Sequence, residues 1–228
     1  MGRPKLKNEG FMKILDMYCG AGLASDGYRL AGFKDITGID VRLQKNYPYK
    51  FIHADAIEVL KDIAFLKQFD VIHASPPCQA HTRAKHLRKA QGGKSKYEDL
   101  LSPTLRLLRK TKIPWVVENV PGAPGMEKAV TECGSSYRLG VRRHRLFLSD
   151  KIPLVSSVCR HREQGRPWGV YHVPGDSIPS GGRTARTIAH GLEVMGVKRT
   201  MTWDELKEGL PPKYTEHIGQ QMIAYLER

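Results

Sequence analysis

A chain of 228 residues can bury one substantial core and perhaps a small appendage. Hydrophobic residues make up 40% of it, and the formal net charge of +14 favours a polyanionic partner. No apolar run is long enough to span a bilayer, and the basic, polar stretch from Met1 to Gly10 does not read as a secretory signal, so a cytoplasmic location and no membrane contact are expected.

In chain order, Met12 to Met17 is an apolar strand, followed by the turn Cys19-Gly20-Ala21-Gly22. A helix from about Leu23 to Ala31 should stop at Gly32. Asp35 to Ile39 is a second strand ending at Asp40, and Phe51 to His53 is a short third one before Asp55. Ile57 to Leu66 fits a helix. Phe69 to Ala74 is a buried-type strand leading into Pro76-Pro77-Cys78-Gln79. Leu100, Leu101, Leu105 and Leu108 give Tyr97 to Lys110 a helical spacing. Trp115 to Val117 is a strand ending at Glu118, and Leu146 to Leu148 is one more.

Composition changes after Asp150. Lys151 to Arg199 is rich in Gly, Pro, Ser, Arg and His with little periodicity, and is expected to be an irregular, substrate-contacting segment. Thr202 can cap a helix beginning near Trp203, and Glu216 to Leu226 suits a closing helix. The repeated alternation predicts an α/β fold with a doubly wound, mostly parallel sheet. The expected division is a catalytic domain over 1–150, a recognition segment over 151–200 and C-terminal helices over 201–228.

Ligands of such sheets sit beyond the C-terminal strand ends, and Gly20, Asp40, Asp55, Cys78 and Glu118 all fall there. Gly20 and Gly22 would let a ligand approach the backbone at a helix N-terminus. A third glycine at Gly27 comes too late for a dinucleotide fingerprint, and the turn suits the amino-acid part of S-adenosylmethionine. Asp40 is placed for ribose hydroxyls. Asp55 is placed for an adenine amino group or, equally, for capping a helix. The candidate cofactor contacts are Tyr18, Gly20, Ala21, Gly22, Leu23, Asp40, Val41, Asp55, Ala56 and Pro77. Cys78, fixed by two prolines, has the setting of a nucleophile. Positive charge is focused beside it: Arg83, Lys85, Arg88, Lys89, Lys94 and Lys96 lie between Ala80 and Tyr97 with no acidic residue among them.

The 4 cysteines, Cys19, Cys78, Cys133 and Cys159, show no CxxC pair and are expected to be free thiols. A zinc site could be drawn from Cys133, Cys159, His161 and His172, but the spacing matches no common zinc module and no metal is assigned.

Taken together, LDMYCGAGLASDGYRLAGF at 15–33, SPPCQ at 75–79, VVENVPG at 116–122, RRHRLFL at 142–148 and PPKYTEHIG at 211–219 resemble, in order, the motifs of the DNA (cytosine-5)-methyltransferases. Three positions depart from that pattern: Leu23 replaces a second glycine, Val141 a glutamine, and Ile218-Gly219-Gln220 a Gly-Asn pair. The resemblance implies a Rossmann-like fold, S-adenosylmethionine as donor with S-adenosylhomocysteine as product, and double-stranded DNA as partner of a monomer in a bacterial or phage-infected cell.

It also implies roles. Cys78 would add to carbon 6 of a cytosine flipped out of the duplex. Glu118, with a raised pKa, would hold ring N3 and the exocyclic amine. Arg143 and Arg145 would hold ring O2 and the target phosphate. The stretch Ala80 to Lys96, hinged at Gly92-Gly93, would close as a lid. Arg160, Arg162, Arg166, Arg183 and Arg186 would read guanines. The rival expectations are an RNA (tRNA) cytosine-5 methyltransferase and a non-catalytic DNA-binding protein that senses S-adenosylmethionine.

Overall fold

The computed structural model describes residues 11–78, 98–171 and 183–228. Seven strands form one sheet: β1 (Lys13–Met17), β2 (Asp35–Asp40), β3 (Lys50–His53), β4 (Val71–Ala74), β5 (Trp115–Asn119), β6 (Val130–Glu132) and β7 (Arg145–Leu148), in the order β3-β2-β1-β4-β5-β7-β6. β1 to β5 pair in parallel. β7 runs antiparallel to both β5 and β6. The order reverses at β1/β4, where such folds open a crevice for ligands.

Period-two alternation sorts the strand side chains onto two faces. Leu15, Ile72, Val117 and Leu148 join one buried cluster. That cluster is closed by α2 (Ala56–Val59), α3 (Ile63–Leu66) and α4 (Leu101–Leu108) through Leu60, Leu66, Leu101, Leu105 and Leu108. Their strand neighbours Ile14, Val71, Val116 and Phe147 join the other. There α1 (Leu23–Ala31) and the last helix, Pro212–Leu226, supply Tyr28, Tyr214, Ile218 and Met222.

α1 ends at Gly32, as the sequence suggested, with a φ of 126° that a side chain rarely adopts. The helix expected over Ile57 to Leu66 is two short ones instead. Asp55 caps the first, and Asp62 caps the second through Phe65 N–H. An internal cap site at Asp62 competes with continued helix and wins.

The segment expected to be irregular contains regular structure. α5 (His161–Gln164), a two-residue pairing of β8 (Trp168–Gly169) with β9 (Arg183–Thr184), and α6 (Ile188–Met195) all lie within it. With α7 (Trp203–Glu208) they enclose a third cluster of Leu23, Val141, Val170, Ala185, Val194, Met195 and Leu206. Strands of two residues are too short to show a period. Thr202 does cap α7, in a full capping box with Glu205. The closing helix, α8, begins at Pro212 rather than near Glu216, with proline in the first turn where its missing N–H costs nothing.

Candidate active site

Strand register brings the predicted residues to one edge. Met17 of β1 lies opposite Ile39 of β2 and Ala74 of β4, Ala74 lies opposite Val117 of β5, and Asp40 lies opposite His53. The residues that follow these strand ends are Tyr18 to Gly22, Val41, Asp55, Ser75 to Cys78, and Glu118 with Asn119. The glycine turn and the cysteine therefore share one rim.

At the turn, Asp40 Oδ2 accepts from Gly20 N–H at 3.0 Å and Oδ1 accepts from Arg42 N–H at 2.8 Å. The carboxylate is held in place, with lone pairs left for hydroxyl donors. A Cβ on Gly20 would meet nothing within 4 Å, so space opens beside this backbone. Val41, 63% exposed, offers an apolar surface at the end of β2. These features fit a nucleoside and an amino-acid group on the rim. Tyr18 adopts a φ of 60° and bonds Thr104 of α4 through its hydroxyl at 2.8 Å.

Other predicted contacts serve the fold first. Asp55 Oδ1 caps α2, accepting from Ile57 N–H at 2.7 Å and Glu58 N–H at 3.3 Å; Oδ2 is used by neither bond. The side chains of Leu23 and Ala56 are buried in core clusters, leaving only their backbone for a ligand. A Cβ at Gly22 would strike Tyr47 at 2.9 Å, so that glycine is required by packing as well. Ala21 is buried and its carbonyl accepts from Arg199. Pro77 is exposed at the rim. The altered Ile218-Gly219 segment packs onto α1, where a Gly219 Cβ would come within 2.7 Å of Ala31.

Beneath the turn, Asp16 is fully buried, accepts from Ser25 Oγ, and keeps Oδ1 without a hydrogen-bond partner. Burial pushes its carboxyl up to about 7.

Cys78 is half-buried directly after Pro76-Pro77. Asn119 of β5, part of the VVENVPG stretch but given no role from sequence, donates to Pro76 O at 3.1 Å and so ties β5 to the cysteine loop. Burial raises the Cys78 thiol, Arg145 and Arg143 pull it down, and Glu118 pushes it up. Burial outweighs the arginines before substrate arrives. Glu118 is buried, and burial raises its carboxyl against the pull of Arg145, Arg143 and a Ser75 hydrogen bond. Arg145 Nε lies 3.0 Å from Glu118 Oε1. Its N–H is not aimed there, so Oε1 is a buried oxygen without a directed hydrogen bond.

Behind Glu118 stands a relay that sequence could not reveal. Tyr28 OH lies 2.7 Å from His73 Nδ1, and His73 Nε2 lies 2.6 Å from Ser75 Oγ. Burial lowers His73 to about 3, so the ring is neutral. Tyr28 OH and Ser75 Oγ thus hold the neutral ring from its two nitrogens.

The two arginines are not a solvated basic face. Arg145 is buried, donating from Nη1 to His144 O at 2.9 Å and from Nη2 to Tyr171 OH at 2.7 Å. Burial disfavours its charge, but Tyr171 and Glu118 outweigh that and raise its pKa. Arg143 has a φ of 34°, in the left-handed region that favours glycine. It donates to Lys207 O at 2.6 Å and lies 4.5 Å over the ring of Tyr171. Tyr171, absent from the predicted set, thus touches both. Gln79, the expected lid from Ala80 to Lys96 and His172 lie outside the described residues. Arg160, Arg162, Arg166, Arg183 and Arg186 are exposed, with Arg183 stacked 3.7 Å over Trp168.

The sheet order and this rim define a Rossmann-like methyltransferase. The chain belongs to the C-5 cytosine-specific DNA methylase family, whose profile matches residues 12–132, just over half of it. The type II methyltransferase M.AgeI of Thalassovita gelatinovora is 32% identical over 81 residues, a match spanning 30% of this chain and only 19% of that protein. Two solved structures share the fold. A DNMT2 mutant of Spodoptera frugiperda superposes with a TM-score of 0.62 at 12% identity, covering 93% of this chain and 99% of that one. A prophage-encoded Escherichia coli protein assigned as a DNA modification methyltransferase superposes with 0.61 at 13% identity, covering 95% and 100%. Among the described residues, no helix is long and apolar enough to cross a membrane.

Proposed function

We propose that this chain transfers a methyl group from S-adenosylmethionine to carbon 5 of a flipped-out cytosine in double-stranded DNA, with Cys78 bonded transiently to carbon 6. The observation that carries this reading is Glu118: a buried carboxyl with one undirected oxygen, facing Arg145 on the edge that also presents Cys78.

Cys78 gives its proton to water, helped by the charge of Arg145 and Arg143, and its sulfur forms the bond to carbon 6. Glu118, whose protonated form burial favours, gives its proton toward ring N3, so the added electron pair settles on carbon 5. Arg145 holds Glu118 and stabilises its carboxylate once the proton has left. Asn119 positions the loop through Pro76. At the rim, Asp40, the Gly20 turn, Val41 and Asp55 Oδ2 would hold S-adenosylmethionine, which would supply a methyl group to carbon 5 and depart as S-adenosylhomocysteine. Water then takes the carbon 5 proton, the freed pair re-forms the carbon 5–carbon 6 double bond as Cys78 leaves as thiolate, and Glu118 recovers its proton from N3. Arg143 acts through Tyr171 and α7, ordering the approach to the base. Sequence choice falls to the exposed arginines of the 151–200 segment.

The test is covalent trapping on duplex DNA carrying 5-fluorocytosine, with S-adenosylmethionine present and 5-fluorocytosine tRNA in parallel. The carbon 5 fluorine cannot leave as a proton, so a working thiolate stays attached. An adduct on the duplex, stable to denaturation and absent in Cys78→Ser, is expected. Trapping on tRNA alone would move the substrate to RNA. An intact protein that binds S-adenosylmethionine yet traps neither would be a binder, and the covalent mechanism would be wrong.

A further inference from the structure

Away from the rim, four side chains converge from three stretches of chain. Cys133 follows β6 and His144 precedes β7. The antiparallel pairing of Glu132 with Arg145 makes them the next cross-strand neighbours. The chain returns after β7 to place Cys159 and His161, one residue apart, at the same spot. One donor atom from each of the four lies within 4.8 Å of all the others.

We propose that Cys133, His144, Cys159 and His161 form a closed, structural zinc site. Cys133 Sγ is 3.3 Å from His161 Nε2, and Cys159 Sγ is 3.6 Å from His144 Nε2. A tetrahedral zinc ion with bonds of about 2.3 Å to sulfur and about 2.0 Å to nitrogen sets its sulfur–nitrogen edges near ~3.6 Å. The imidazole rings stand at 73° to each other, 5.1 Å apart, so both can direct a nitrogen inward. Two thiolates with two imidazoles select zinc over magnesium or calcium, and four protein donors leave no open position for catalysis.

The surroundings support the donor set. Ser135 Oγ accepts Arg160 N–H at 3.0 Å, which leaves its own proton free for Cys133 Sγ, also 3.0 Å away. A hydroxyl aimed at a ligand sulfur is what steadies a metal thiolate. α5, which carries His161, buries none of its own side chains. A metal would replace the missing apolar anchor. It would also staple the start of the 151–200 segment to the strand pair in which His144 separates Arg143 from Arg145. Sequence alone drew in His172; the pairing of β6 with β7 supplies His144 instead.

The experiment uses the full chain, purified without chelator or polyhistidine tag. Elemental analysis is expected to find about one zinc per chain, falling well below half in Cys159→Ser and His161→Ala and unchanged in Cys19→Ser. Because the first two variants could fail to fold, the wild type is also titrated with Co2+ after zinc removal. Intense tetrahedral d–d bands with a sulfur-to-cobalt charge-transfer band are expected, and Zn2+ should bleach them. Wild type that carries no zinc and gives no tetrahedral Co2+ spectrum overturns the proposal. So does a non-reduced mass lower by two hydrogens with Cys133 linked to Cys159, which would make the pair a disulfide.

Discussion

Ser75 shows how one hydroxyl can set the chemistry of a residue it does not replace. Its hydroxyl lies 2.6 Å from His73 Nε2, and its hydrogen bonding to Glu118 is among the influences that hold that carboxyl down against burial. That bond favours the ionised carboxylate and so lowers the Glu118 pKa. Removing it in Ser75→Ala lets burial act with less opposition, and the pKa rises further. Turnover that needs protonated Glu118 is lost as pH rises through that pKa. The alkaline limb of the kcat profile is therefore expected to move upward in Ser75→Ala, with KM for S-adenosylmethionine little changed. A purely structural role would lower kcat at every pH and leave the limb in place. His73→Phe should move the limb the same way, since the serine then loses the partner that orients it.

Among the elements, the pairing of α1 with α8 holds one face of the sheet. A Cβ at Gly27 would come within 2.2 Å of the Pro212 carbonyl oxygen and 2.8 Å of the Glu216 nitrogen, both backbone atoms. Neither can rotate away, so the helices must separate. Gly27→Ala is expected to destabilise by about 2 kcal/mol in urea unfolding, the overpacking cost exceeding the ~1 kcal/mol gained in helix propensity. Gly20→Ala is the useful contrast. No atom lies within 4 Å of its Cβ, so its cost comes only from a φ of 49° and from intrusion on the rim. It should weaken S-adenosylmethionine binding more than it weakens the fold, as calorimetry beside thermal melting would show.

Across the whole molecule the charge is lopsided in a way the fold explains. A net charge of +14 sits on a chain whose site carboxylates are buried or already bonded. The excess cations are left on the surface, among them exposed Arg162 and Arg186 of the 151–200 segment. Duplex binding should fall steeply with salt as counterions are released. Arg162→Ala or Arg186→Ala should lower the slope of log affinity against log salt by about 1 if the lost contact is to phosphate. A slope left unchanged, with altered methylation at particular sequences, would instead mark a base contact.

The strand–helix alternation, the glycine turn and the placing of Cys78 and Glu118 by strand ends were legible from residues alone, because parallel sheets demand apolar runs and place their chemistry at strand ends, whereas the strand order and β6 came from the structure. The stretch from Phe69 to Gln79 carries that information locally. The relay through His73 and Ser75, the clamp of Tyr171 on Arg143 and Arg145, and the meeting of His144 with Cys133 were not. Each joins residues whose contact is set by register or by a returning chain, and one-dimensional spacing has no record of either. The core of the 151–200 segment was hidden for a related reason: its strands are too short to repeat, so only packing against Leu23 and Leu206 reveals that they bury anything.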